Sequence, residues 1–203
     1  LHYRPDLAII NNIEFDHADI YDDLDAIMTQ FRRFVNIIPG NGHIIANGDD
    51  TRVLELTESA FSNVHLFGLC NACAWQARNV TQDQAGVRFD LVHQGKKMAQ
   101  LNSPLFGEHN VRNVMAAAIS AHVLGIDFST IAAGVAEFKG VRRRMTLISS
   151  LNDIDIFEDF AHHPTAVEET LAGVRARYAD RRIIAVFEPR TASAKRKVFE
   201  QQY

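Results

Sequence analysis

The chain has 203 residues, 47% of them apolar, and a net charge of −4. That length and composition suit one large or two smaller globular domains of α/β type, and the charge gives no basic footprint for nucleic acid. No apolar run reaches the length of a membrane span and no signal-peptide pattern opens the chain, so no membrane insertion and a cytoplasmic setting are expected.

The chain begins at Leu1 and ends at Tyr203 within a charged, helix-like stretch, which reads as a piece of a longer protein. Residues 7–10 have the length and apolar character of a buried parallel strand. Ligands of open α/β sheets gather at the carboxyl ends of such strands. There the chain reads Asn11-Asn12-Ile13-Glu14-Phe15-Asp16-His17-Ala18-Asp19. Its carboxylates and imidazole suit a hard cation; Mg²⁺ needs only one or two protein ligands beside phosphates and water. The plainer reading is a polar loop whose Asp19 or Asp22 caps the next helix.

Asp22-Asp23 open a helix that places Leu24, Ile27, Met28, Phe31, Phe34 and Val35 on one face, and Pro39-Gly40 stops it. A short strand over 43–46, a turn at Asn47-Gly48-Asp49-Asp50, a helix over 53–61 and a strand over 64–67 follow. From residue 75 to 101 the apolar period becomes two. Strands over 75–80, 87–92 and 97–101, split by Gln84-Ala85-Gly86 and Gln94-Gly95, predict a small antiparallel meander attached to the parallel sheet. Cys70 and Cys73 precede it. A zinc site would need two more ligands at suitable spacing, and a redox motif would want a helix where 75–80 reads as strand. They are read as two semi-buried thiols without a function.

Residues 103–107 form a loop, 108–124 a helix closed by Gly125, and Asp127 caps another helix through Ile131 and Val135. Phe138-Lys139-Gly140 marks a boundary between 1–139 and 140–203. Beyond it, strands over 145–150 and 154–160, a helix over 164–178 and a strand over 182–187 predict a second α/β domain. Strand–helix–strand implies a right-handed parallel crossover.

Four polar clusters could serve one ligand with the 11–19 segment. Asn110 and Asn113 share a face at a helix N-terminus, where amides match the N6 and N7 edge of adenine and free N–H groups favour anions; Asn110 could instead be an N-cap. Arg142-Arg143-Arg144 carry guanidinium forks suited to phosphate. In Glu158-Asp159-Phe160-Ala161-His162-His163-Pro164, Asp159 could accept ribose hydroxyls and His162 donate toward phosphate, with His163 at the cap. Glu188-Pro189-Arg190-Thr191-Ala192-Ser193-Ala194-Lys195 places cations for an anionic substrate. No dinucleotide fingerprint, phosphate-binding Gly-Lys-Ser/Thr loop or nucleophile elbow occurs.

In this order the clusters resemble the Mur ligase family of ATP-dependent peptidoglycan amide ligases, over nearly the whole chain. The resemblance implies the latter part of a P-loop-type central ATP-binding domain, a parallel sheet plus a small antiparallel sheet, over 1–139. Over 140–203 it implies the start of a Rossmann-like C-terminal domain. It puts His17 on Mg²⁺ and His109, Asn110 and Asn113 on ATP, with Asn113 against the base. Arg144 falls on the nucleotide phosphates, and Asp159 and His162 on the nucleotide-facing turn. Glu-Pro-Arg at 188–190 favours the branch that joins UDP-N-acetylmuramate to a recycled murein tripeptide over the one that adds L-alanine, with Arg190 and Lys195 toward the tripeptide. The family's Gly-Lys-Thr loop and first metal-ligating glutamate would lie before Leu1, so the chain alone is expected to be inactive. A nucleotide-binding module without catalysis is the alternative of another class.

Overall fold

β1 (Leu7–Ile10) buries Ala8 and Ile10 on one face, while Ile9 on the other is 46% exposed, so this edge strand is covered on one side rather than on both as a buried parallel strand would be. In this computed structural model, which describes residues 3–189 and 199–203, it pairs in parallel with β2 (His43–Asn47), which pairs in parallel with β3 (Asn63–Gly68). Between them run α1 (Leu24–Asn36) and α2 (Thr51–Thr57). Asp23, not Asp19 or Asp22, caps α1 by accepting from the Ala26 N–H at 2.8 Å; Asp50 caps α2 through the N–H groups of Arg52 and Val53. The second helix is shorter than the periodicity suggests, ending at Thr57.

The sheet does not stop at β3. Phe67 and Gly68 pair in parallel with Trp75 and Gln76 of β4 (Trp75–Asp83), and β5 (Gly86–His93) and β6 (Lys96–Ser103) continue antiparallel. The meander is attached to the parallel sheet as expected, forming the antiparallel half of one six-stranded sheet ordered β1 to β6. Gly86 makes its first turn at φ +130, where a Cβ would stand 2.0 Å from the Ser103 carbonyl oxygen; a side chain is barred there on both counts.

Alternating residues of β2 show how the faces are covered. Ile44 and Ala46 pack with α1 and α2, while Ile45 faces α3 (Glu108–Val123) and α4 (Phe128–Glu137) with Phe67, Phe89 and Met115. Each such fully buried apolar side chain contributes roughly 1.5–3 kcal/mol, so this lobe stands on its own core. Ser120 is buried inside α3 with its hydroxyl satisfied, donating to the Ala116 carbonyl at 2.7 Å.

The second lobe is different. β7 (Thr146–Leu151) and β8 (Ile154–Glu158) form an antiparallel hairpin, followed by α5 (Pro164–Arg177). The predicted strand over 182–187 is absent among the described residues, and with it the parallel crossover. A strand needs a neighbour to satisfy its amides, and β8 pairs here only with β7. Leu147, Ile148, Leu151, Ile154 and Ile156 are all more than half exposed. Among the described residues this lobe has little core of its own, and α5 is tied to the first lobe through Glu14 and Arg112.

Candidate functional site

The carboxyl end of β1, the first turn of α3 and the turn before α5 meet. Asn11 stands at the hub. Its Nδ2 donates to Asn113 Oδ1 at 2.8 Å, and its carbonyl accepts from Asn47 Nδ2 at 2.8 Å. Asn113 Nδ2 donates to Asn110 Oδ1 at 3.4 Å, and Asn110 Nδ2 donates to the Phe106 carbonyl at 2.8 Å. Asn110 is thus spent on the loop rather than capping the helix; the N-cap position belongs to Gly107, with no side-chain bond. Asn113 is exposed and keeps one amide hydrogen and one lone pair for a ligand.

Gly107 has φ +92, and a Cβ there would lie 2.7 Å from His109 Cε1. The imidazole of His109 rests where that side chain would be. Burial pushes its pKa down; the nearby Asp159 opposes this, and the Arg112 and Arg144 guanidiniums reinforce it. Arg144 and Asp159, from the second lobe, therefore stand within electrostatic reach of a residue of the first. Gly107→Ala is expected to lower stability by about 1–3 kcal/mol, measured by urea unfolding, and to displace His109.

The basic turn is shaped by Asp159. Its Oδ2 accepts from the Met145 N–H at 2.8 Å and its Oδ1 from the Ala161 N–H at 2.6 Å. Arg143 and Met145 both have left-handed backbone, φ 60 and 48. Such a turn needs these tethers to persist. Arg143 is engaged with Glu158 at 3.0 Å and lies over the Phe160 ring, while Arg144 is exposed.

The 11–19 segment does not converge as a cation cage. Among the described residues no group of three metal-binding side chains forms there. Glu14 is used elsewhere: its Oε2 lies 2.9 Å from His163 Nδ1 and accepts from Thr165 Oγ1 at 2.8 Å. His163, expected to act at the cap of α5, makes no cap bond and reaches back across the chain, its Nε2 lying 3.1 Å from the Phe15 carbonyl. The ion pair holds Glu14 down at about 2 and raises His163. Asp16 is 3.9 Å from His162 Nε2 and accepts from the His17 N–H at 2.7 Å. His17 itself is exposed on a left-handed residue, φ 53. The Asp16 carboxylate is the kind of single protein ligand that suits a Mg²⁺ drawing its other ligands from phosphate and water, and the exposed His17 follows it in the chain.

Sequence reasoning missed three residues here: Asn11 as the hub, His163 as a bridge, and Arg112, whose Nε is 3.1 Å from Asp49 Oδ2 and whose Nη1 is 3.9 Å from Glu169 Oε1 on α5. Their partners lie far away in sequence, so no local spacing reveals them. α5 also crosses closely at Gly173, where a Cβ would lie 3.4 Å from Gly107 Cα. His109, Asn113, Arg144, Asp159 and His162 are thus all found around this junction, whereas Arg190 and Lys195 lie outside the described residues.

Residues 1–121 match the Mur ligase middle domain, and residues 143–202 the Mur ligase, glutamate ligase domain. UDP-N-acetylmuramate–L-alanyl-γ-D-glutamyl-meso-2,6-diaminoheptandioate ligase of Escherichia coli K12 is 38% identical over 197 residues, 96% of this chain and 42% of that protein. UDP-N-acetylmuramate–L-alanine ligase of Clostridium perfringens is 35% identical over 200 residues, 98% of this chain and 43% of the relative. The chain thus spans about two fifths of the length of these relatives. The crystal structure of a murein peptide ligase from Psychrobacter arcticus superposes with a TM-score of 0.68 at 38% identity, covering 94% of this chain and 39% of that one. No helix among the described residues is long and apolar enough to cross a membrane. The chain belongs to the Mur ligase family, a family of ATP-dependent ligases.

Proposed function

We propose that this chain is part of an ATP-dependent amide ligase of the murein peptide ligase type, joining UDP-N-acetylmuramate to a murein tripeptide. Residues 1–139 would form the latter part of its central domain and 140–203 the first part of its C-terminal domain. The observation that carries the reading is the meeting of the β1 loop with both other segments, through Asn11 to Asn113 and through Glu14 to His163. Scattered polar turns from two lobes are brought to one place.

In this reading the muramate carboxylate takes the γ-phosphoryl of ATP, and the amine of the tripeptide then displaces phosphate. Such chemistry asks for positioning and charge neutralisation rather than a nucleophilic side chain. Bound Mg²⁺ would offset phosphate charge. His17, with Asp16 beside it, would hold the metal. Asn113 would meet the adenine edge, with Asn110 and His109 fixing the loop beneath it. Arg144 would pair with phosphate, on the turn that Asp159 ties down, and His162 would stand on the same side. Arg190 and Lys195 would meet the carboxylates of the tripeptide.

A second reading, addition of L-alanine, has a specific basis, because a relative of that name is 35% identical over nearly the whole chain. The test is the complete protein carrying this sequence, with ATP, Mg²⁺ and UDP-N-acetylmuramate, offered either the tripeptide or L-alanine. Phosphate release and a new nucleotide-linked product with the tripeptide are expected. Turnover with L-alanine alone would establish the second reading, and turnover with neither would leave a nucleotide-binding module.

A further inference from the structure

The loop between β3 and β4 holds Cys70 and Cys73 with their sulfurs 3.1 Å apart. Two thiols are too few for a metal site, but the fold supplies a third group. Asp49, in the turn between β2 and α2, is brought alongside, and a carboxylate oxygen and both sulfurs lie within 4.8 Å of one another.

The surroundings are built to admit these groups. A Cβ on Gly48 would stand 2.5 Å from Cys73 Sγ; one on Gly68 would stand 2.5 Å from Asp49 Oδ1 and 3.0 Å from Cys73 Sγ. Any side chain at either glycine would take the space that the sulfur and carboxylate occupy. Asp49 is also oriented, by the Leu69 and Cys70 N–H groups at 2.9 and 3.0 Å and by Arg112 Nε at 3.1 Å.

We propose that Asp49, Cys70 and Cys73 form a binding site for a thiophilic divalent cation of the Zn²⁺ class. Two sulfurs and one carboxylate oxygen are a donor set that Zn²⁺ accepts, with water completing four-coordination. Zn–S distances of about 2.3 Å and Zn–O distances of about 2.0–2.2 Å place tetrahedral neighbours roughly 3.5–3.8 Å apart. The sulfurs need to part by about 0.7 Å, within the reach of side-chain rotation. Cation entry is from the Cys70 side, since Cys70 is half-buried and Cys73 buried. Two thiolates and a carboxylate exceed the charge of a divalent cation by one, and the Arg112 guanidinium lies next to that excess. Because Arg112 belongs to the first turns of α3, an occupied site would brace the helix that carries Asn113. This cation would be distinct from one bound at His17.

The test uses the 203-residue chain, fully reduced and free of oxygen. Co²⁺ is titrated first, read by thiolate-to-cobalt charge transfer and tetrahedral visible bands, and then displaced by Zn²⁺ against a chromophoric chelator. One equivalent is expected, and Cys70→Ala, Cys73→Ser and Asp49→Asn should each weaken binding by about tenfold or more. Cys70→Ala, at the half-buried rim, is the variant least prone to misfold, and its far-UV circular dichroism is compared with that of the unsubstituted chain. The proposal is overturned by three results: no stoichiometric cation in the reduced chain, binding unchanged by folded Cys70→Ala, or binding unchanged by Asp49→Asn.

Discussion

Glu14→Gln is expected to loosen the two lobes and to remove a pH-dependent part of the stability. The Glu14 carboxyl is held at about 2 against an ordinary 4.5, mainly by His163, with Thr165 and Asn12 adding to it against the cost of burial. A depression of that size corresponds to something on the order of 3 kcal/mol. The side chains of the pair are only 17% and 24% exposed, so solvent screening removes little of it. Glu14 is depressed, so its stabilisation is fully present above 4.5 and is lost as pH falls toward 2. His163 is raised above 6.5 by Glu14, so its share is fully present below 6.5 and is lost as pH climbs past the raised value. The stability difference between the unsubstituted chain and Glu14→Gln should therefore be widest between about 4.5 and 6.5 and shrink on both sides. Urea unfolding across pH measures it. Hydrogen exchange should show α5 losing protection before the six-stranded sheet does, since the second lobe buries little of its own. A difference that stays flat with pH would contradict this account of the bridge.

Under the proposed function, with Arg144 at the transferring phosphoryl group, Arg144→Ala should reduce turnover of the complete protein by about 10²–10³-fold, the usual loss when a preorganised charge is removed. Arg143 is already paired with Glu158 and stacked on Phe160, so Arg143→Ala should act more weakly. Asp159→Asn separates the roles further. An amide oxygen still accepts, but an amide cannot accept at both positions as the carboxylate does for Met145 and Ala161. The turn should loosen, and activity should fall without direct loss of a phosphate contact. If Arg144→Ala left kcat and KM unchanged while Arg143→Ala abolished turnover, the assignment within the basic run would be reversed.

The clusters at 11–19, 107–113, 142–144 and 158–164 were legible because each sits at a strand end or helix start, places that local sequence marks by itself. Apolar runs and turn residues located β1, the meander and α3 within a few residues. What failed was the strand over 182–187, whose continuous apolar run from Ile183 to Phe187 looks like a buried strand but has no pairing neighbour among the described residues. The carboxylate count in the 11–19 segment also misled. Composition could not reveal that Glu14 is committed to a histidine almost 150 residues later, or that Asp49 joins two cysteines that look alone in sequence.

Hydrophobic period, capping aspartates and turn glycines act over a few neighbouring residues, so the elements of the six-stranded sheet and the chemistry of the polar turns could be read locally from the amino-acid order. Which polar groups pair with one another emerged only from the folded chain. Hydrogen-bond and charge partners such as Asn11 with Asn113, or Glu14 with His163, are set by how sheet and helices pack, and packing is a property of the whole chain.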